Sequence, residues 1–169
     1  FDQILFVHAG IPRDALVADK WSDLATLNRE DVRFQMLWSD PSKADYVPDE
    51  LQKASARFAF GRLQFRKFMQ RIGCNVLVRG HEKVNAGFKN HYTDQDIRLF
   101  TLFSAGGVDN DDLPPDSNYR DVRPMALTIT SQDGLVEAIP WAIDYGRYQD
   151  PKLNNFFSSE PEIDIKPQS

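Results

Sequence analysis

The sequence holds few residues that cross-link or titrate near neutral pH. It has one cysteine, Cys74, and three histidines in 169 residues, so no internal disulfide can form. No apolar run approaches the ~18 residues needed to cross a bilayer. These features exclude a disulfide scaffold. We expect a cytoplasmic protein with no membrane partner, in which Cys74 is a small core residue.

Excess positive charge is also lacking. Twenty Lys and Arg stand against 25 Asp and Glu, a net charge of −5, which argues against a large nucleic-acid footprint but leaves room for a local basic pocket. With 41% hydrophobic and 27% charged residues, the composition is typical of one domain with a sizeable core. We predict that this domain spans residues 1–145 and that residues 146–169 form a polar tail.

The hydrophobic pattern predicts a mixed α/β chain. We predict strands at residues 3–7, 58–61, 74–79 and 98–103, and a hairpin whose strands, 125–130 and 135–139, flank a turn at 132–134. Helices are expected at 14–27, 32–37, 48–56 and 62–72. The segment 37–41 is predicted to be a compact turn, and 83–92 a loop with a short strand near Val84.

The clearest helix is the one over residues 62–72. Phe65, Phe68, Met69 and Ile72 follow the i, i+3, i+4, i+7 spacing of a single helix face. Gly73 suits the position just past the helix end. We therefore assign Phe65, Phe68 and Met69 to the core.

Two histidines follow predicted strands, each within two residues of a glycine. His8 comes after the strand at 3–7, and His81 after the strand at 74–79. Sites in open α/β sheets form at the carboxyl ends of strands, so the two side chains could meet. They could then share a metal, because neutral imidazole is a common ligand. The alternative is two hydrogen-bonded histidines at separate turns.

Five short motifs occur along the chain in one order. They are Phe-Val-His-Ala-Gly-Ile at 6–11, Leu-Trp-Ser-Asp-Pro at 37–41, Phe-Gly at 60–61, Val-Arg-Gly-His-Glu at 78–82 with Ala-Gly-Phe at 86–88, and Thr-Leu-Phe-Ser-Ala at 101–105. This series resembles the C-terminal half of the phosphoprotein phosphatase family, the metal-dependent serine/threonine phosphatases. The resemblance covers residues 3–140.

The resemblance implies a metallophosphoesterase-like fold, a β-sandwich flanked by helices with a two-metal centre at its strand ends. His8 and His81 match two histidines that ligate one metal of the pair. The metals, which could be manganese, iron or zinc, would hold a bridging hydroxide that attacks phosphorus in line. The implied substrate is a protein phosphorylated on serine or threonine.

Two residues beside the histidines are given supporting roles by the resemblance. Arg79 precedes His81, and it either contacts phosphate or is structural. Asp40 would orient an arginine or a histidine by hydrogen bonding, although an Asp-Pro turn explains it equally well. Glu82 could orient the imidazole of His81 or face solvent, and His91 is expected to be exposed in a polar loop.

The sequence departs from the family in several places. The upstream motifs Gly-Asp-x-His, Gly-Asp-x-x-Asp-Arg-Gly and Gly-Asn-His-Glu, which hold the other ligands and the general acid, do not occur in it. Arg57 lies nearer Phe-Gly than the phosphate-clamping arginine does, and a solvated arginine is the alternative. An acidic loop, residues 106–118, follows Ser-Ala, so Tyr119 would be the groove tyrosine only if this loop is an insertion. Such a loop would disfavour acidic substrates.

Several functions therefore stay open. The first is the C-terminal half of a protein phosphatase whose N-terminal half supplies the missing ligands, either in the same protein or on another chain. Hydrolysis of dinucleoside polyphosphates in the same fold is a second possibility. A third is a phosphatase-like binding module without catalysis. A single-metal or redox enzyme has little support, because Cys74 and two histidines make no complete site.

Overall fold

A computed structural model describes residues 3–52, 57–92, 96–132 and 135–144. Its strands are β1 (Ile4–Val7), β2 (Ser39–Pro41), β3 (Phe58–Phe60), β4 (Val76–Arg79), β5 (Phe88–Tyr92), β6 (Arg98–Leu102), β7 (Met125–Gln132) and β8 (Leu135–Ala142). Its α-helices are α1 (Asp14–Val17), α2 (Glu30–Trp38) and α3 (Arg62–Ile72), and two 3₁₀ helices span Leu24–Asn28 and Asp49–Gln52. The predicted tail lies outside the described residues.

The main sheet has four strands in the order β1-β4-β6-β5. The first three are parallel, and β5 pairs antiparallel with β6. Val7 is in register with Arg79, and Arg79 with Thr101. The chain therefore leaves β1 and β4 at the same edge of the sheet, which brings the segments after them together.

The two faces of this sheet are covered differently. Ile4, Val76, Val78 and Phe100 form a cluster on one face, against which the inward side chains of the β7–β8 hairpin pack. Leu77 and Leu99 point to the other face and pack with α3. The β7–β8 hairpin, the main sheet and helix α3 therefore form three successive layers. The predicted sandwich with a helix outside is confirmed.

Helix α3 has the predicted bounds, and its predicted face is buried. Phe65, Phe68 and Met69 are at most 3% exposed. The helix begins where the Gln64 side chain accepts a hydrogen bond from the Gly61 N–H at 2.8 Å. It ends at Gly73, whose φ of 69° is a left-handed conformation that glycine adopts without strain.

The predicted helix over 14–27 is wrong. The α-helix stops at Val17, and a separate 3₁₀ helix begins at Leu24. The second helix has a start of its own, because the Asp23 side chain accepts a hydrogen bond from the Ala25 N–H at 2.8 Å and caps it. Aspartate at such a position favours a new start over continuation.

Two predicted irregular segments are strands. Residues 39–41 form β2, which pairs in parallel with β3, and not a compact turn. Residues 88–92 form β5, where we had expected a loop with a strand near Val84. Both strands are short or polar, so neither shows the apolar alternation that marks a half-buried strand. Tertiary pairing selects them.

The hairpin and the remaining segments follow prediction more closely. β7 and β8 pair antiparallel from Met125 with Ala142 to Gln132 with Leu135, although two of the predicted turn residues, 133 and 134, lie outside the described residues. The helix expected over 48–56 is a 3₁₀ helix over Asp49–Gln52, with 53–56 also outside them. Within the described residues, no helix is long and apolar enough to cross a membrane.

Candidate metal and phosphate site

The two strand-end histidines meet. His81 Nδ1 lies 3.0 Å from His8 Nε2, and the ring centroids are 4.9 Å apart. The Gly80 N–H donates to the His8 carbonyl at 3.1 Å, which fixes the backbones after β1 and β4 against each other. The Trp38 ring approaches His81 edge-on at 5.7 Å. Parallel strands thus bring together residues 73 positions apart.

The spacing of these nitrogens fits two ligands of one metal. Imidazole nitrogens bind transition metals at about 2.1 Å, so two of them at roughly a right angle stand about 3.0 Å apart. The other ring nitrogen, His81 Nε2, is buried without a hydrogen-bond partner and lies 3.9 Å from Asp40 Oδ1. Ligating histidines commonly direct that second nitrogen at a carboxylate.

The site is nevertheless incomplete as a metal centre. Among the residues that the structure describes, no group of three or more His, Cys, Asp or Glu side chains could hold a metal ion. His8 and His81 would therefore supply two ligands, and the remaining ligands would come from elsewhere. The lack of a third ligand among the described residues agrees with the sequence, which does not contain the upstream motifs that hold the family's other ligands.

Asp40 connects the histidines to two arginines. Its Oδ1 accepts a hydrogen bond from Arg79 Nη2 at 2.8 Å, and its Oδ2 accepts one from Arg57 Nε. The pairing of β2 with β3 places Asp40 beside Ala59, close to Arg57. Asp40 lies where a residue that orients arginine would lie, and it is part of a strand rather than of an Asp-Pro turn.

Arg79 is buried at the end of β4. Its side chain is 0% exposed, and its guanidinium also donates to Glu82 Oε2 at 2.5 Å and, at a longer 3.4 Å, to Thr101 Oγ1. A phosphate could not reach this group in the arrangement described. Which of the two roles left open by the sequence Arg79 plays stays a prediction. Glu82 pairs with Arg79, where we had expected it to orient His81 or face solvent.

Arg57 is the more accessible arginine. Its side chain is 53% exposed although it pairs with Asp40. This interaction raises the pKa of Arg57 above its ordinary value, because the hydrogen bond and the negative charge of Asp40 favour the charged guanidinium. Arg57 is therefore an anchored cation at the rim of the site, with part of its surface open to a ligand.

His81 adopts a backbone conformation that few non-glycine residues adopt. Its φ is 67°, and among the described residues it is the one non-glycine residue with positive φ. Such a conformation costs on the order of 1 kcal/mol and recurs at functional sites. Burial lowers the pKa of His81, and nearby Asp40 opposes this effect. The neutral imidazole is the form that ligates a metal.

Tyr119 lies at the end of the acidic loop. Its ring stacks on Phe103 with centroids 5.8 Å apart. Lys83 donates to the Asn118 carbonyl at 2.5 Å and lies 5.7 Å from the Tyr119 ring centroid. Because Lys83 follows His81 by two residues, the loop is attached to the segment that carries His81. The groove role of Tyr119 stays a prediction.

The structure corrects our expectation for His91. It is half-buried on β5, and its Nε2 lies 2.8 Å from the buried Thr101 hydroxyl. Burial lowers its pKa to about 4, with a further contribution from Lys89 and Arg79. Little in the sequence signals this contact, because β5 is mostly polar.

The chain is similar to serine/threonine-protein phosphatases. It is 26% identical over 153 residues to a probable serine/threonine-protein phosphatase of Encephalitozoon cuniculi, covering 86% of this chain and 31% of the relative. It is 29% identical over 106 residues to the serine/threonine-protein phosphatase 4 catalytic subunit of Eremothecium gossypii, covering 61% and 33%. Serine/threonine-protein phosphatase PP1-1 of Saccharomyces cerevisiae matches with the same identity and coverage.

The fold is also shared with a solved structure. A protein serine/threonine phosphatase from Saccharomyces cerevisiae, described as similar to human phosphatase PP5, superposes with a TM-score of 0.51 and 19% identity over 85% of this chain and 45% of that one. No protein-family model matches the chain. The chain spans about a third of the length of the curated relatives. The predicted resemblance is confirmed, and such partial matches fit a C-terminal half.

Proposed function

We propose that this homologue of serine/threonine-protein phosphatases is the C-terminal half of a catalytic domain that hydrolyses phosphoserine and phosphothreonine in proteins. The observation that carries the proposal is the 3.0 Å approach of His8 Nε2 to His81 Nδ1 beside Asp40. Two nitrogens at ligand spacing, a nearby carboxylate and an anchored arginine are what a metal-assisted phosphoryl hydrolase needs at this edge.

The roles divide among few side chains. His8 and His81 would hold one metal of a pair of manganese, iron or zinc ions. When bound, the metals would activate water for in-line attack on phosphorus and stabilise the developing charge. Arg57 would contact the phosphate with its exposed edge, since arginine pairs well with phosphate oxygens. Asp40 and the buried Arg79 hold the surrounding side chains in place.

A second segment would complete the site, and the structure has a surface that suits it. β1 ends the main sheet on one side, so one of its edges has no strand partner among the described residues. An apolar groove runs beside it, lined by Leu5, Phe6, Val7, Leu27, Phe34 and Leu37. We propose that the N-terminal half of the same domain packs here and brings the missing ligands to His8 and His81.

The first test is the intact mass of the purified protein together with metal analysis of the same sample. We expect a mass well above 19.4 kDa, or a co-purifying fragment, with about two transition metals per complex. His81→Ala should lower the metal content by about one ion, while Cys74→Ala, at a potential ligand away from the site, should leave it unchanged. A metal-free species of 19.4 kDa would refute the enzyme proposal.

The alternative is a phosphatase-like binding module without catalysis. The observation that favours it is that the described residues supply two histidines and no third ligand. Turnover of a phosphoserine peptide by the metal-loaded complex separates the two. Turnover of a dinucleoside polyphosphate in preference to the peptide would point to the sister activity in the same fold, and binding of the phosphopeptide without turnover would support the module.

A further inference from the structure

We propose that His91 is a positioning residue, which holds the Thr101 hydroxyl so that Thr101 accepts a hydrogen bond from Arg79 and keeps that guanidinium fixed on Asp40. The consequence for turnover rests on the proposed phosphatase function, whereas the geometric claim does not. The connection runs from a half-buried ring on β5 through two buried side chains to the carboxylate beside His81.

A β-bulge aims His91 at its partner. Phe88 to Asn90 pair in regular register with β6, but the register shifts between Asn90 and Tyr92, so His91 is the extra residue. Before the bulge, Phe88 packs on Phe100 on the hairpin side of the sheet. After it, Tyr92 belongs to the core on the helix side. Bulges re-aim side chains in this way and are common beside functional sites.

The proton count at Thr101 gives His91 a defined tautomer. Arg79 Nη1 can only donate, so at the 3.4 Å contact the Thr101 oxygen accepts. The oxygen keeps a second lone pair, but the hydroxyl proton has no other acceptor among the hydrogen bonds of the described residues, so we assign its donation to His91 Nε2 at 2.8 Å. This requires Nε2 without a proton, and hence a neutral ring protonated at Nδ1. A doubly protonated ring would leave the Thr101 hydroxyl proton without an acceptor among the described residues.

The surroundings of His91 favour the neutral ring. Burial, Lys89 and Arg79 all lower its pKa, and Asp40 alone acts in the opposite direction. The pKa of about 4 leaves the ring uncharged at neutral pH. Thr101 is 0% exposed, so no solvent molecule replaces the acceptor if the ring is removed.

Tyr92, the neighbour of His91, contacts the backbone near Asp40. Its hydroxyl donates to the Ser42 carbonyl at 2.9 Å and lies 3.3 Å from the Phe60 carbonyl. Phe60 is the last residue of β3, and Ser42 directly follows β2, the strand that carries Asp40. Through Tyr92, the bulged strand β5 therefore contacts the β2–β3 pair, whose strand β2 carries Asp40. Through His91 and Thr101, it is connected to Arg79, the ion-pair partner of Asp40.

The experiment compares His91→Phe, which removes the acceptor, with His91→Gln, which keeps an acceptor oxygen. Asn90→Ala, at an exposed neighbour on the same strand, is the matched control. Thr101→Val and Thr101→Ser form a second pair in case His91→Phe does not fold. In the complete protein containing this chain, nitrogen NMR reports the tautomer of His91 and the hydrogen exchange of the Arg79 guanidinium, and kinetics on a phosphopeptide report kcat and KM.

We expect Nε2 of His91 to be unprotonated in the unmodified protein at neutral pH. His91→Phe and Thr101→Val should each speed exchange of the Arg79 protons and lower kcat about tenfold with KM nearly unchanged, a loss typical of residues that orient others. His91→Gln and Thr101→Ser should restore most of both, and Asn90→Ala should change neither. Arg79 exchange unaltered by both His91→Phe and Thr101→Val would overturn the proposal. Absence of turnover in the unmodified protein would refute the proposed phosphatase and leave the exchange measurement decisive here.

Discussion

At the scale of single residues, the electrostatic centre of the site is the contact between Asp40 and Arg79. The guanidinium is 0% exposed and the carboxylate 16% exposed. Water therefore screens this pair little. The pair matters for the free energy of unfolding mainly because removing one partner would leave the other as an unpaired buried charge, which is strongly destabilising.

We expect Asp40→Ala to lower the free energy of unfolding by about 3 kcal/mol, the range found when a buried pair is broken. Glu82→Ala removes the other anion on Arg79, whose side chain is 35% exposed, and should cost about 1 kcal/mol or less. Urea denaturation of the two variants measures the difference. Equal losses would show that Arg79 does not depend on Asp40.

His91 predicts how stability depends on pH. Its pKa is near 6.5 in the unfolded chain and about 4 in the fold, so the folded state binds fewer protons between these values. This contribution is fully present above pH 6.5 and is lost as the pH falls through 4. After allowance for partial exposure, we expect it to be on the order of 2 kcal/mol.

The measurement is the free energy of unfolding from pH 7 to pH 4 for the unmodified protein and for His91→Gln. Carboxylates titrate in the same range in both proteins, so the difference between the two curves isolates the histidine. The His91→Gln curve should be the flatter of the two. Parallel curves would mean that the ring is already solvated in the fold.

The site residues differ in how visible they are in the sequence. His8 and His81 could be found because each follows an apolar strand and lies within two residues of a glycine, and the parallel pairing of β1 with β4 brings them together. Asp40 could be found only through its motif, since its turn-like neighbour Pro41 suggests an Asp-Pro turn. His91 could not be found, because a bulge has no periodic signature.

At the scale of secondary-structure elements, local chemistry decided what could be predicted. Helix α3 has both a full apolar face and a glycine stop, and the structure reproduces its bounds. β2 has three residues and β5 is mostly polar, so pairing with neighbours rather than pattern makes them strands. The predicted helix over 14–27 is wrong because α1 ends at Val17, and the later residues start a separate 3₁₀ helix that the Asp23 side chain caps.

Two glycines test how elements end and turn. Gly73 after α3 and Gly87 before β5 have φ of 69° and 72°. An added Cβ at Gly73 meets nothing within 4 Å, whereas at Gly87 it would lie 1.9 Å from the Arg123 carbonyl oxygen. Gly73→Ala should cost about 1 kcal/mol from backbone strain alone, and Gly87→Ala about 3 kcal/mol or more from strain plus overlap.

Thermal unfolding of the two variants checks this pair, with each serving as the control for the other. A melting temperature lowered equally by both substitutions would show that the segment at Arg123, just before β7, moves away from Gly87 at little cost. The expected order would instead show that the close approach of Arg123 to Gly87 is a rigid feature between β5 and the hairpin.

At the scale of the whole molecule, the chain exposes apolar surface where the proposed partner half would pack. Phe6 on β1 is 59% exposed, and Phe34 and Leu37 on α2 are each 46% exposed. An exposed strand edge with apolar neighbours favours association between copies. We therefore expect residues 1–169 expressed alone to be poorly soluble, and a monomeric, cooperatively melting preparation would contradict this.

Two causes of that low solubility can be distinguished by experiment: strand pairing at the edge of β1, and exposed apolar surface area in general. Phe6→Lys places a charge on β1, whose outer edge has no strand partner in the part of the chain that the structure describes. Leu24→Lys instead removes a side chain with the same 59% exposure from a 3₁₀ helix. If strand pairing drives association, Phe6→Lys should raise the soluble fraction severalfold and Leu24→Lys should raise it little, because a lysine on an edge opposes the approach of another strand. Sedimentation of the two variants at matched concentration measures this. Equal improvement would assign the association to exposed apolar area in general, and would not single out the edge of β1 as the docking surface of the proposed N-terminal half.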